Sequence, residues 1–143
     1  PPPKSTGRER YGLDEAETLA KEWLGDGRDG DDLVATLVAF TAESVARACR
    51  QWMSAPVDRL LVGGGGARNP AVMRALSERL PDAEVDTFDA VGVPAGAAEA
   101  MAFALMGRNA LLGLPNHLPR CTGATRAAVL GVIAPGRSGA IRP

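Results

Sequence analysis

The sequence predicts an α/β domain, and three observations carry that prediction. A short aliphatic run, Val57 to Val62, leads directly into four consecutive glycines, Gly63 to Gly66. A proline-initiated amphipathic segment follows, from Pro70 to Leu80. A second short β-like run, Glu84 to Phe88, is then succeeded by a helical stretch that Pro94 opens and that runs to about Leu112. Strand, glycine turn, helix, strand and helix in that order describe a domain whose ligands bind at the carboxyl ends of parallel strands. At 143 residues, 45% hydrophobic and 23% charged, the chain is long enough to bury a core of its own.

Taken in order, the elements have local causes. Pro1 to Pro3 and the turn formers Lys4, Ser5, Thr6 and Gly7 predict a loop over residues 1 to 12. Asp14 is placed to cap a short helix ending near Lys21 to Leu24. The acidic, glycine-rich turn at 25 to 32 ends that helix and offers Asp31 as the next cap. Leu33, Val34, Leu37, Val38, Val45, Cys49 and Trp52 recur at helical spacings and predict one long amphipathic helix from Leu33 to Met53, stopped by Pro56. The run from 57 to 62 is too short for a helix and reads as a buried strand. Pro70 suits the first turn of the next helix, with Asn69 as its cap, and Pro81 breaks it. Beyond Leu112, Thr122-Gly123 marks a turn, 128 to 134 reads as one more strand, and 137 to 143 as a loose tail. Trp23, Phe40 and Trp52 are assigned to packing.

Composition narrows the function. With 16 basic against 17 acidic residues, scattered along the chain, there is no electrostatic case for nucleic acid or an anionic membrane as partner. Cys49 and Cys121 stand in no CxxC or Cys/His cluster, which gives a metal centre no support and allows one disulfide without demanding it. Two reduced thiols in a cytoplasm are the expectation. The longest apolar stretch, near 90 to 107, is broken by Glu99 and rich in Gly and Ala, a poor membrane span, and no signal sequence opens the chain. Pro1 stands where a complete translation product would show Met, which reads as a piece of a longer protein.

The glycines pose the functional question. A Walker loop needs Gly-Lys-Ser/Thr after its glycines, and GxGxxG needs glycine at 68 or 69; Ala67-Arg68-Asn69 satisfies neither. What stands is that residues without Cβ let a phosphate or ribose approach the main chain, with the helix at Pro70 aiming its first amides toward the ligand. The plain alternative is a turn whose Asn69 caps a helix for stability alone. Spacing leaves both open. Glu99 is a second marker, as the one ionisable side chain between Asp89 and Arg108, with Ala95, Gly96, Ala102 and Phe103 as its helical neighbours. Burying it requires a partner from elsewhere in the fold or from a ligand; alternatively it faces solvent or sits in a first turn. His117 has no Ser, Cys or acidic partner at telling distance and reads as structural or solvent-exposed. Lys4, Ser5 and Thr6 suit either a phosphate or a capped loop, and Arg68 either nucleotide or solvent.

Several blocks together carry a resemblance. PPPKSTGRE, VGGGGARNPAVMRALSERLP, VGVPAGAAEAMAFALMG, LPRCTGA and VLGVIAPG resemble, in order and over nearly the whole chain, the carboxyl-terminal part of the anhydro-N-acetylmuramic acid kinases. That resemblance implies the carboxyl-terminal half of an actin-like (ribonuclease H-like) ATPase fold, a mixed sheet flanked by helices. It implies residues 1–136 as the nucleotide-binding domain of a two-domain sugar kinase, with 137–143 as a tail. It places Gly64, Gly65, Gly66 and Asn69 along ATP, tolerates other small residues at Gly63, and sets Glu99 against the sugar. In this chain Ala98 replaces the lysine more usual before that glutamate. The implied reaction transfers phosphate from ATP, with Mg2+, to O6 of 1,6-anhydro-N-acetylmuramic acid while water opens the anhydro ring. The product is N-acetylmuramic acid 6-phosphate, made in the cytoplasm during peptidoglycan recycling. The phosphate loop and the general base would lie upstream, so this piece alone would be inactive, and the full-length enzyme has room to form a homodimer. A non-catalytic nucleotide-binding or scaffold module with the same fold is the alternative; a dinucleotide-binding domain is disfavoured by the failed GxGxxG spacing.

Overall fold

The computed structural model describes Gly7 and residues 9 to 134. They belong to two compact units, one running up to Ala98 and one from Glu99 onward. Lys4, Ser5, Thr6 and the expected tail at 137 to 143 lie outside the described residues.

The first unit opens with helix α1, Leu13–Gly25. Its cap position is Gly12, without a side-chain bond, and the expected cap Asp14 lies inside the first turn, where its charge suits the helix dipole. Helix α2, Gly30–Trp52, is capped by Asp29, whose Oδ1 accepts the Asp31 N–H at 2.8 Å. Asp31, expected in that role, instead donates to it. The corner is fixed earlier because Trp23 Nε1 donates to the Asp29 carbonyl at 2.8 Å, while Arg28 lies 4.7 Å over the same indole ring.

Strand β1, Arg59–Val62, and strand β2, Glu84–Thr87, form a parallel pair connected through helix α3, Pro70–Arg79. Leu60 sits opposite Val85, and Val62 opposite Thr87. Arg59 bridges Glu84 and Asp86 at 3.3 Å each. The core gathers Ala42, Ala75 and Leu76, with Val38, Val45, Leu60, Val62, Val72 and Val85 packed around them. Alanines at the α2–α3 contact make the buried stripe narrow. Phe40 and Trp52, assigned to packing, are therefore left 55% and 41% exposed on its flanks. Glu43, inside α2, receives Arg50 at 3.1 Å and the half-buried Arg79 at 3.3 Å, and the exposed Glu43–Arg50 pair contributes no more than about 1 kcal/mol.

The second unit holds helix α4, Ala98–Leu111, from Glu99 onward, and the single turn α5, Pro119–Thr122. The strand expected at 128 to 134 does not form. Its backbone is served by a side chain instead: Leu130 N–H donates to Asn116 Oδ1 at 2.7 Å, and Asn116 Nδ2 donates to the Leu130 carbonyl at 2.9 Å. Among the described residues the sheet is thus two-stranded and parallel, where a mixed sheet was expected. No helix among them is long and apolar enough to cross a membrane.

Candidate functional site

The glycines after β1 are not one feature. A Cβ at Gly63 would stand 3.1 Å from Phe88 Cδ2 and 3.5 Å from the Ala98 Cβ, so small size serves packing here. Gly64 has φ 69° and ψ −155°, a region that essentially only glycine visits, and its N–H donates to the Ala95 carbonyl at 2.8 Å. Gly65 and Gly66 begin a 3-10 turn, Gly65–Arg68, and a Cβ at Gly65 would meet nothing within 4 Å. At Gly66 it would meet only Val62 Cγ1, at 4.0 Å. As the first positions of that turn, their N–H groups have no partner within it. Among the described residues the arc therefore presents open space, and the Gly65 and Gly66 N–H groups have no hydrogen-bond partner, at the carboxyl end of β1.

The helix beyond it does not. Asn69 caps α3 as its sequence position predicts: Oδ1 accepts from Ala71 N at 3.0 Å and from Val72 N at 3.3 Å. Pro70 has no N–H, and Met73 N donates to the Asn69 carbonyl at 3.1 Å. The first-turn amides expected to point at a ligand are thus all engaged. What Asn69 still offers outward is its amide Nδ2.

The facing wall comes from the chain after β2. A 3-10 turn, Phe88–Val91, follows the strand, and Asp89 Oδ2 accepts from Thr87 Oγ1 at 2.9 Å and from Ala95 N at 3.4 Å. Ala95 is held from both sides, by Asp89 at its N–H and by Gly64 at its carbonyl. That is why α4 begins at Ala98 and not at the expected Pro94: residues 94 to 97 form a turn, closed by Ala97 N on the Pro94 carbonyl at 2.8 Å. Next to the arc, but lined by the residues that follow it and not by its glycines, lies an open cleft of about 370 Å³ formed by Ala67, Arg68, Thr87, Asp89 and the 94–97 turn. Sequence reasoning missed Thr87 and Asp89. The available signal was an aspartate just past the carboxyl end of a predicted strand.

Glu99 belongs to the other unit, in the first turn of α4, and is exposed. The burial cost that singled it out does not arise, since the surrounding apolar side chains are themselves exposed, Met101 at 51% and Phe103 at 61%. His117 is structural, as read: Nε2 accepts from Ala128 N at 3.0 Å, which leaves the proton on Nδ1 to meet Thr122 Oγ1 at 3.2 Å. Cys49 and Cys121 are both free thiols.

Comparison with known proteins decides the family. Residues 1–136 match the sequence pattern described as anhydro-N-acetylmuramic acid kinase. The chain belongs to the anhydro-N-acetylmuramic acid kinase family. It is 47% identical over 137 residues to the anhydro-N-acetylmuramic acid kinase of Streptomyces coelicolor, covering 96% of this chain and 34% of that protein. To the enzyme of the same name from Cupriavidus pinatubonensis it is 44% identical over 134 residues, covering 94% of this chain and 36% of that protein. The chain thus spans about a third of the length of the curated relatives it matches.

For a member of the anhydro-N-acetylmuramic acid kinase family, the implied groups are ATP and Mg2+. The open arc at Gly64 to Gly66, with free N–H groups and no Cβ, suits a nucleotide. Among the described residues no three His, Cys, Asp or Glu side chains converge to hold a metal ion, and Asp89 Oδ2 is engaged by Thr87 and Ala95.

Proposed function

We propose that the chain is the carboxyl-terminal, nucleotide-binding part of an ATP-dependent sugar kinase. The full-length enzyme phosphorylates 1,6-anhydro-N-acetylmuramic acid at O6 with hydrolytic opening of the anhydro ring, giving N-acetylmuramic acid 6-phosphate and ADP in cytoplasmic peptidoglycan recycling. The observation that carries the reading is the Gly64–Gly66 arc, whose missing side chains leave open space instead of relieving a contact. Had the glycines served only to pack the turn, a Cβ at Gly65 would strike a neighbour. Family membership supplies the substrate class.

In this reading Gly65 and Gly66 donate backbone N–H bonds to nucleotide oxygens, and Gly64 holds the bend that presents them. Asn69 keeps Oδ1 on the helix and offers Nδ2 to the nucleotide. Glu99 offers an exposed carboxylate to a sugar hydroxyl. The domain spans residues 1–136 of an actin-like fold, the general base lies in the part of the full-length enzyme outside this chain, and the chain alone is inactive. The full-length enzyme assembles as a homodimer.

The test is kinetic, in the full-length protein. ATP turnover is expected only with the anhydro-sugar present. Gly65→Ala, whose methyl meets no protein atom within 4 Å, is expected to leave folding intact and raise KM for ATP. Glu99→Ala is expected to raise KM for the sugar by about tenfold or more, the loss of a charged hydrogen bond. An unchanged ATP KM in folded Gly65→Ala would remove the arc from the site, and unchanged sugar kinetics in Glu99→Ala would remove that residue.

A further inference from the structure

Resting on the nucleotide reading of the glycine arc, we propose that Asp89 is a positioning residue, which sets the shape of the arc through Ala95 without touching the ligand. Two donors meet at its Oδ2, Thr87 Oγ1 at 2.9 Å and Ala95 N at 3.4 Å. Ala95 passes the constraint on, because its carbonyl accepts the Gly64 N–H at 2.8 Å. One carboxylate oxygen thus stands two hydrogen bonds away from the residue that bends the arc.

Each link of that relay has a physical cause. Ala95 is only 6% exposed, and among the described residues Asp89 is the partner of its N–H. A buried N–H without a partner is costly, so the Ala95 peptide follows the carboxylate. Gly64 in turn needs an outside hold, since its φ of 69° and ψ of −155° lie in a sparsely populated region that persists only where the surroundings determine it. The bond to Ala95 is that hold. The far end of the relay is anchored in the sheet: Thr87 closes β2 opposite Val62, the last residue of β1, and the Asp89 carbonyl accepts the Gly92 N–H at 3.0 Å. The carboxylate is therefore fixed relative to the ends of both strands, where the arc begins. What the relay uses is an acceptor oxygen and not a charge. Both donors are neutral, Asp89 is exposed, and among the described residues no cation pairs with it.

In the full-length protein, kcat, KM for ATP, KM for the anhydro-sugar and Tm would be measured for the parent, Asp89→Ala, Asp89→Asn, Thr87→Val and the Thr87→Val/Asp89→Ala double variant. Asp89→Ala is expected to raise KM for ATP about fivefold, as for one lost hydrogen bond, with kcat and the sugar KM unmoved. Asp89→Asn keeps an acceptor oxygen for both donors and should recover most of that loss. Thr87→Val is expected to raise KM for ATP by a smaller factor, and to add nothing in the Asp89→Ala background, because the hydroxyl acts only through the carboxylate. If Asp89→Ala does not fold, Thr87→Val at parental Tm still reads the split between KM and kcat. A purely structural role would lower kcat through fewer folded molecules and leave both KM values alone, and that result overturns the proposal. So does a loss that Asp89→Asn shares in full, as a charge in contact with the ligand would give, or losses that multiply in the double variant. If Gly65→Ala raises KM for ATP while Asp89→Ala does not, the relay alone falls. If Gly65→Ala leaves KM for ATP unchanged, the nucleotide reading of the arc falls, and the relay with it.

Discussion

The two units of the chain are held by opposite means. Up to Ala98, apolar side chains find one another: Ala42, Ala75, Leu76 and Leu80 are buried, and a parallel strand pair packs on two helices. From Glu99 onward none of the described residues is buried, Phe103, Leu105 and Leu118 are 61%, 58% and 69% exposed, and the order comes from side-chain amides and a histidine bonded to the backbone. Asn116 alone reaches the Met106 carbonyl at 3.2 Å and both backbone groups of Leu130. A helix apolar all round between its end charges, as α4 is between Glu99 and Arg108, draws its stability from being covered. The contrast teaches that a hydrophobic composition does not locate a core; the pattern within each segment does.

Substitutions can break that contrast. The largest effect is expected from Leu76→Ala, which empties the centre of the first unit and should cost about 2–5 kcal/mol, read as a lower urea midpoint at unchanged slope. Gly64→Ala comes next, at about 1–3 kcal/mol, because alanine is forced into a glycine-only backbone region. Asn69→Ala should lose about 1 kcal/mol with the cap, whereas Asn69→Asp keeps the cap and removes the Nδ2 donor. Weakened nucleotide binding at parental stability in Asn69→Asp would separate the two roles of that side chain. Asn116→Ala should cost about 1 kcal/mol locally, seen as lost hydrogen-exchange protection at Leu130 with none lost at Leu76. The smallest effect belongs to Phe103→Ser, expected within about 0.5 kcal/mol in this chain. A loss of several kcal/mol there would show that the second unit has a core after all.

Legibility in the sequence follows the same division. Where local rules decide, they were readable: the α2 periodicity, the aliphatic run of β1, Pro70 with the Asn69 cap, and Glu84 as the start of β2 all agree with the structure. Where a distant partner decides, they were not. Trp23 moves the α2 cap from Asp31 to Asp29, the bond between Gly64 and Ala95 holds back α4 by four residues, and the Asn116 amide takes the place of a neighbouring strand at Leu130. The candidate site shows both sides. Its glycines were visible, but their separate duties depend on what surrounds each missing Cβ, and Thr87 and Asp89 enter the cleft only because β2 pairs with β1 in parallel.

The Gly64 N–H bond to the Ala95 carbonyl has one more consequence. It ties the glycine arc to the facing turn, and Asp89 ties that turn to the end of β2 through Thr87 and Ala95. Four consecutive glycines would ordinarily leave a binding loop with many conformations to surrender. Here the bend at Gly64 is tied to the turn that lines the cleft before any guest arrives, so less ordering entropy is lost on binding and more of the contact energy remains as affinity. Lengthening the loop between Pro94 and Ala97, with every contact residue kept, should therefore slow association while leaving the chemistry of the cleft intact.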